Sequence, residues 1–176
     1  MVHWSPRRNP RHVGTAVDPG EPVVVGVADA ISVTERLRPA VTVLEMDLPV
    51  SSGFHLTQEL LDRRLTRAVV IHTAFADDGV ALASLVAGAS AVVSKGGPDY
   101  ELAEAVQAAA RGGGVRPRVT IDGLVEAAGT VDPDDIPILS MLVHGTSPAG
   151  IGEALGVHER ELAGRRKRML HALLGD

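Results

Sequence analysis

The stretch Ser147–Leu174, SPAGIGEALGVHERELAGRRKRMLHALL, predicts two helices joined by a tight turn. Ser147 can cap the first helix with its hydroxyl, and Pro148 fits the first helical turn, where a missing N–H is tolerated. Gly156 suits the left-handed backbone conformation that commonly ends a helix. A short helix, a glycine turn and a longer helix are the parts of a helix-turn-helix.

Both helices of this stretch are expected to be amphipathic. The apolar face of the first helix is predicted to contain Ile151, Ala154 and Leu155. The apolar stripe of the second helix is predicted to contain Leu162, Met169, Leu170 and Leu173. The opposite side of the second helix is predicted to carry Arg160, Lys167, Arg168 and His171. Residues 160–168 hold five cations and one carboxylate, which gives this segment the positive charge that phosphate contacts require.

The composition of the whole chain restricts the classes of function. The chain has 176 residues, a net charge of −5 and no cysteine, so any nucleic-acid binding must be local and thiolate chemistry is excluded. No apolar run approaches the roughly 20 residues of a membrane span, and no signal peptide is legible. We expect a cytoplasmic protein that is not an enzyme, needs no cofactor and holds no metal.

Residues 23–111 alternate between short apolar strands and helices. Strands are predicted at 23–27, 41–44, 68–72 and 91–93, and helices at 31–37, 54–65, 80–86 and 100–111. This order is typical of an α/β fold in which helices cover a parallel sheet on both faces. Function in such folds sits at the carboxyl ends of the strands, where this chain carries Glu45, Asp47, Thr73 and Lys95.

Residues 131–175 resemble the LuxR-type (NarL-type) DNA-binding domain of bacterial response regulators. The matching segments are Val131-Asp132-Pro133, Gly145-Thr146-Ser147, Ile151-Gly152-Glu153-Ala154-Leu155-Gly156-Val157 and Leu170-His171-Ala172-Leu173-Leu174-Gly175. The chain departs from the family in lacking its DNA-facing lysine, and Glu159 and Glu161 bring negative charge near the groove. Arg166 stands at a usually apolar position and is expected to snorkel or to loosen the packing. The resemblance implies DNA contacts, mostly to phosphate, from Arg160, Arg165, Lys167 and Arg168.

Residues 23–111 resemble the receiver domain of two-component signalling. The matching positions are Pro49, Gly53, the pair Thr73-Ala74, the pair Gly88-Ala89, and Lys95. The family's acceptor aspartate is here Glu45, and Asp47 has the wrong spacing to replace it. The family's first strand, its first helix and its acidic Mg²⁺ pair have no counterpart, so we expect no phosphorylation. Glu45 and Lys95 form either a structural ion pair or a mimic of the activated state.

These observations predict an atypical, N-terminally truncated response regulator with a receiver-like (flavodoxin-like) parallel sheet lacking its first strand, plus a small all-α helix-turn-helix domain. The expected parts are a loosely attached segment at 1–22, the receiver-like domain at 23–111, a linker at 112–130 and the helix-turn-helix domain at 131–176. The expected function is phosphorylation-independent transcriptional control as a homodimer on double-stranded DNA, with a protein or small molecule as a further partner of the receiver-like domain. The alternative is a module that dimerises with an intact regulator and does not itself bind DNA. An upstream start site that encodes the missing strand is the third interpretation.

Overall fold

The computed structural model describes residues 27–46, 52–75 and 77–175. Three parallel strands form one sheet in the order β1-β2-β3. The strands are β1 (Val41–Leu44), β2 (Ala68–Thr73) and β3 (Ala91–Ser94). The helices are α1 (Val27–Leu37), α2 (Gly53–Asp62), α3 (Asp78–Ala87), α4 (Asp99–Ala110), α5 (Ile121–Ala128), α6 (Ile136–Val143), α7 (Pro148–Leu155) and α8 (Glu159–Leu174). The fold is the predicted α/β class with an additional helical C-terminal region.

The central strand β2 is buried on both faces, which explains its unbroken apolar sequence. Val69, Val70 and Ile71 are fully buried. Val70 packs with residues of α4 on one face, whereas Val69 packs with residues of α1 and α2 on the other. Backbone hydrogen bonding aligns Leu44 with Ile71, so the strand ends that carry the candidate site lie side by side.

Side-chain caps and a glycine turn set the ends of two helices. The side chain of Asp77 caps α3 by accepting a hydrogen bond from the Val80 N–H at 2.8 Å. The Ser147 hydroxyl accepts from the Gly150 N–H at 3.2 Å at the start of α7. Gly156 then ends α7 in the left-handed conformation, with φ of 66°. The two helices and the glycine turn predicted for this stretch are therefore formed by α7, Gly156 and α8.

The structure also corrects some of the expected elements. Val27 begins α1 rather than ending a strand, and residues 23–26 lie outside the described residues. α2 ends at Asp62, before the predicted Leu65, because the chain turns through Arg64 with φ of 54°. The segment expected to be a linker contains α5, whose first turn is capped by the Thr120 hydroxyl.

The apolar face of α7 is narrower than its spacing predicts. Ile151 is fully buried, but Ala154 and Leu155 are exposed. The prediction for these two residues is wrong, because α7 has only eight residues and buries a single large side chain against its neighbours. Leu162, Met169 and Leu170 of α8 are buried as expected, and Leu173 is half-buried.

One continuous hydrophobic cluster joins the sheet region to the C-terminal helices. Phe54 of α2, Ile71 of β2 and Val86 of α3 belong to the same cluster as Ile138 of α6 and Met169 of α8. α3 is the central helix of this cluster, since α5, α6 and α8 all pack against it. The position of α8 relative to the sheet is therefore set by packing against α3.

Candidate functional site

The carboxyl ends of β1 and β3 bring a carboxylate and an ammonium group together. Glu45 follows β1 directly, Lys95 follows β3, and Lys95 Nζ forms an ion pair with Glu45 Oε2. Glu45 Oε1 also accepts a hydrogen bond from the Met46 N–H at 2.7 Å. Asp47, the other predicted carboxylate of this site, lies outside the described residues. Both oxygens of Glu45 are thus engaged by donors of the chain itself.

Thr73 and His72 complete this strand-end site. Thr73 is fully buried, and its hydroxyl accepts a hydrogen bond from the Phe75 N–H at 3.2 Å. The Lys95 N–H donates to the Thr73 carbonyl at 2.7 Å, which fixes the end of β3 against β2. Burial and the nearby Lys95 ammonium lower the pKa of His72, against the opposing effect of Glu45. Protonation of His72 is therefore less favourable than protonation of a free imidazole.

The strand-end site is neutralised from within. Glu45, at the position where the resemblance expects an acceptor aspartate, has its charge balanced by Lys95. No group of three or more His, Asp or Glu side chains within residues 27–46, 52–75 and 77–175 could hold a metal ion. The arrangement in the described part of the chain is that of a fixed ion pair with one buried hydroxyl beside it.

The second candidate site is the outer side of α8. Arg160, Lys167 and Arg168 are all exposed. None of these three side chains forms an ion pair with a residue that the structure describes. Three unpaired cations along one helix form a surface that suits a polyanionic partner.

Arg165, the fourth predicted DNA contact, is instead tied into the fold. Its Nε donates to Asp135 Oδ1 at 2.5 Å, and its Nη2 donates to the Asp134 carbonyl. The side chains of Arg165 and Asp135 are only 15% and 3% exposed, so this is a largely buried ion pair. It fastens α8 to the turn that precedes α6. The acidic pair Asp134-Asp135, separated by thirty residues from a basic run, was the only signal in the sequence.

Arg166 is inserted between α8 and α3 rather than reaching solvent. Its side chain is buried, and its Nε donates to the carbonyl of Val86 in the last turn of α3 at 2.9 Å. A cation is favourable there because the last carbonyls of a helix lack backbone partners and carry partial negative charge. Gly88, at φ of 95°, leaves space for the guanidinium group, since a Cβ at this position would lie only 2.6 Å from Arg166 Nη2. The expectation that Arg166 snorkels to solvent is wrong, whereas the alternative that it loosens the packing stays a prediction.

The electrostatic partner of Arg166 is Asp62, at the end of α2. Burial lowers the pKa of Arg166, and the Asp62 carboxylate opposes that shift. Burial likewise raises the pKa of Asp62, whereas Arg166 and Lys167 act to lower it. Each group thus offsets part of the cost of burying the other.

Further contacts continue the docking of α8 along α2. The rings of His55 on α2 and His171 on α8 lie with centroids 4.9 Å apart and a tilt of 41°. Near the start of α8, Arg64 Nη2 lies 3.6 Å from Glu159 Oε1, and both side chains are exposed. His171 was predicted on the cationic outer side, but it packs against His55. α8 therefore contacts the sheet-bearing region near both of its ends and at Arg166.

Comparison with known proteins connects the sheet region to signalling proteins. The family model described as the response regulator receiver domain matches residues 23–107. The chain is 30% identical over 84 residues to the transcriptional regulatory protein YvfU of Bacillus subtilis (strain 168), covering 48% of this chain and 42% of YvfU. It is 37% identical over 81 residues to the DNA-binding transcriptional activator DevR/DosR of Mycobacterium tuberculosis, covering 46% of this chain and 37% of that protein.

A longer match joins this chain to the transcriptional regulatory protein DesR of Bacillus subtilis, with 22% identity over 129 residues and 64% of DesR covered. The chain thus spans less than two thirds of the length of each of these relatives. Among solved structures, RcsB of Salmonella enterica serovar Typhimurium bound to promoter rprA has 16% identity and a TM-score of 0.48, with 84% of this chain and 81% of RcsB covered. ChrA of a heme-sensing two-component system has 22% identity and a TM-score of 0.39, with 77% of this chain and 75% of ChrA covered.

In the part of the chain that the structure describes, no helix is both long and apolar enough to cross a membrane. The sheet order, the strand-end ion pair and the family match all concern the same region of the chain. Residues 23–107 are therefore related to the receiver domains of response regulators.

Proposed function

We propose that this chain is a transcriptional regulator that binds double-stranded DNA through α8 as a homodimer. The observation that carries the proposal is the helix-turn-helix pair α7–α8, with the exposed cations Arg160, Lys167 and Arg168 on its second helix. The relation of residues 23–107 to receiver domains, and relatives described as transcriptional regulatory proteins, support the same class of function.

The proposed contacts follow from the exposure of each cation. Arg160, Lys167 and Arg168 contact phosphates, and each neutralised phosphate adds to the salt dependence of binding. Arg165 orients α8 through Asp135 and has no direct role on DNA in this proposal. One short helix supplies few base contacts, so two copies reading two half-sites are the expected binding unit.

Any DNA contact from the covered side of α8 would require α8 to separate from α2. His171 lies against His55, and Glu159 lies near Arg64, so both ends of α8 contact the receiver-like region. The observed affinity then includes the cost of populating an undocked arrangement, which reduces it by the undocked fraction.

The proposed regulation does not use an aspartyl phosphate. Glu45 stands where an acceptor aspartate is expected, and Lys95 and the Met46 N–H engage its two oxygens. The ion pair holds the ends of β1 and β3 together without a phosphoryl group. Incubation of the chain with acetyl phosphate and Mg²⁺ is expected to leave its mass unchanged, and a gain of one phosphate on Glu45 or Asp47 would contradict this part of the proposal.

The DNA proposal is tested by selecting fragmented genomic DNA with the purified chain at two salt concentrations. An enriched, roughly palindromic motif that survives the higher salt is the expected result. The matched control is the triple variant Arg160→Ala, Lys167→Ala, Arg168→Ala, which removes the exposed cations and leaves the buried ones. If the variant enriches the motif as strongly as the natural chain does, the exposed cations of α8 do not contribute to DNA binding.

The second candidate function is a module that pairs with an intact regulator and does not hold DNA. Its supporting observation is that α8 is docked on α2 and α3 while Glu159 and Glu161 lie exposed near the start of α8. This candidate predicts a stable heterodimer and no enriched DNA motif. Size-exclusion chromatography beside the DNA selection distinguishes the two functions.

A further inference from the structure

A cleft lined by arginines lies at the edge of the sheet opposite to the Glu45–Lys95 pair. It has a volume of about 280 Å³ and lies between residues 38–40, which lead into β1, and residues 64–67, which lead into β2. Its charged side chains are Arg38, Arg64 and Arg67, and no carboxylate lines it. The Thr66 hydroxyl donates to the Pro39 carbonyl at 3.1 Å and joins the two walls. The cleft is a polar concavity with one sign of charge.

Two of these arginines stand where glycine would fit without strain. Arg38 (φ 46°) and Arg64 (φ 54°) are the only non-glycine residues with positive φ in the described part of the chain. They follow the ends of α1 and α2, whereas α3, α7 and α8 end in the same conformation with glycine. A bulky side chain in this conformation is strained, and strained residues concentrate at functional sites. Both strained arginines line the same cleft.

The three guanidinium groups keep unused hydrogen-bond donors. Arg38 donates to the Glu35 carbonyl at 3.2 Å and to the Arg64 carbonyl at 2.9 Å, which holds its head in place while leaving further N–H groups. The pair of Arg64 with Glu159 is long, at 3.6 Å, and 82% and 89% exposed, so it is weak. Arg67 has no hydrogen bond or ion pair with the residues that the structure describes.

Two nearby carboxylates pair with an arginine outside the cleft rather than with the arginines that line it. Glu35 and Glu59 both pair with Arg63, at 3.6 Å and 3.1 Å, and Arg63 does not line the cleft. Glu159 is the remaining neighbour, and its pair with Arg64 is open to solvent. The positive charge of the cleft is therefore not neutralised from within.

We propose that this cleft binds a small oligophosphate anion through Arg38, Arg64 and Arg67. The planar guanidinium group matches phosphate oxygens in pairs, and three such groups suit two adjacent phosphates better than one. No aromatic side chain lines the cleft, so recognition rests on the phosphate groups rather than on a base. Arg64 also lies 3.6 Å from Glu159 at the start of α8. The ligand therefore competes with Glu159 for Arg64.

Calorimetric titration of the full chain with inorganic pyrophosphate tests the proposal. Saturable binding of one pyrophosphate is expected, with affinity reduced about tenfold or more in Arg67→Ala and in Arg64→Gly. Arg64→Gly relieves the strained φ while removing the guanidinium, so an unchanged or higher unfolding midpoint separates loss of binding from loss of fold. Arg118→Ala, which removes an exposed arginine outside the cleft, is the matched control.

Parallel titrations with inorganic phosphate and with ADP identify the source of the anion. Tighter binding of pyrophosphate than of phosphate, with ADP equal to pyrophosphate, supports recognition of a phosphate pair alone. Tighter binding of ADP than of pyrophosphate adds a contact to the nucleoside. Equal loss in Arg118→Ala would show general charge attraction and overturn the site. Absence of saturable binding of all three anions would also overturn the proposed site.

Discussion

Four consecutive cations of α8, Arg165 to Arg168, lie in two different environments. Arg165 and Arg166 are drawn into the fold, where they bind Asp135 and the end of α3. Lys167 and Arg168 are exposed, and neither forms an ion pair within the described part of the chain. The helix rotates by about 100° per residue, so neighbouring positions in a charged run face different surroundings.

This difference shows that the number of cations in a basic run does not give the number that are available to contact DNA. Two of the four charges satisfy buried groups, and only the other two can contribute to counterion release on DNA. The comparison predicts opposite consequences for substitutions at adjacent positions. Buried positions should change the free energy of unfolding, and exposed positions should change the salt dependence of binding.

Arg165→Ala is expected to have the largest effect. It leaves the buried carboxylate of Asp135 without its cation, and breaking a buried pair in this way costs about 3 kcal/mol of unfolding free energy. Urea denaturation measures the change. The neighbouring Arg168→Ala is the control and should change stability by less than about 0.5 kcal/mol. Equal stabilities of the two variants would show that the Arg165–Asp135 pair does not stabilise the fold.

Arg166→Ala is expected to destabilise the fold by about 2 kcal/mol. The substitution leaves the Val86 carbonyl without its donor and empties the space beside Gly88. Arg166→Met refills the space but not the hydrogen bond, so its loss should be smaller than that of Arg166→Ala. Denaturation of both variants separates packing from charge, and identical losses would show that packing contributes nothing.

Gly164→Ala is expected to stabilise the chain by about 1 kcal/mol. Gly164 lies in the interior of α8, where alanine is the better helix former. A Cβ at this position would have Arg168 Nη1 as its nearest neighbour, at 4.0 Å, so the added methyl group fits. Thermal unfolding should show a higher midpoint. A lower midpoint would mean that α8 needs the close approach that glycine allows.

The smallest effect is expected at the strand-end site, through His72. Burial lowers the pKa of His72 below its ordinary value of 6.5, so the unfolded chain binds this proton more tightly than the folded chain. The contribution of His72 to stability is therefore complete above pH 6.5 and is lost as the pH falls through the folded-state pKa. His72→Gln should flatten the pH dependence of the unfolding free energy in this range, whereas Arg168→Ala should leave it unchanged.

Local signals predicted much of the fold. The cap at Ser147 and the turn at Gly156 depend on neighbours within a few residues, so the sequence alone contains the information. The apolar run of β2 likewise predicts a strand buried on both faces. The ends of α2 and the presence of α5 were harder to predict, since they depend on a strained turn at Arg64 and on packing against α3.

Most residues of the candidate sites could be named from the sequence, but the residues that some of them contact could not. Glu45 and Lys95 could be paired from the order of parallel strands, which places their ends side by side. The roles of Arg165 and Arg166 could not be predicted, because Asp135 and Val86 are thirty and eighty residues away in sequence. Helical periodicity also placed His171 on an outer side that tertiary packing covers with His55.

The role of the exposed cations is tested by the salt dependence of DNA affinity for the natural chain and for Arg168→Ala, measured on a selected DNA fragment. The slope of log affinity against log salt should become less steep by about one in the variant, which corresponds to one lost phosphate contact. The unfolding midpoint of Arg168→Ala should be unchanged. An unchanged slope would contradict the claim that the exposed cations of α8 contact the DNA backbone.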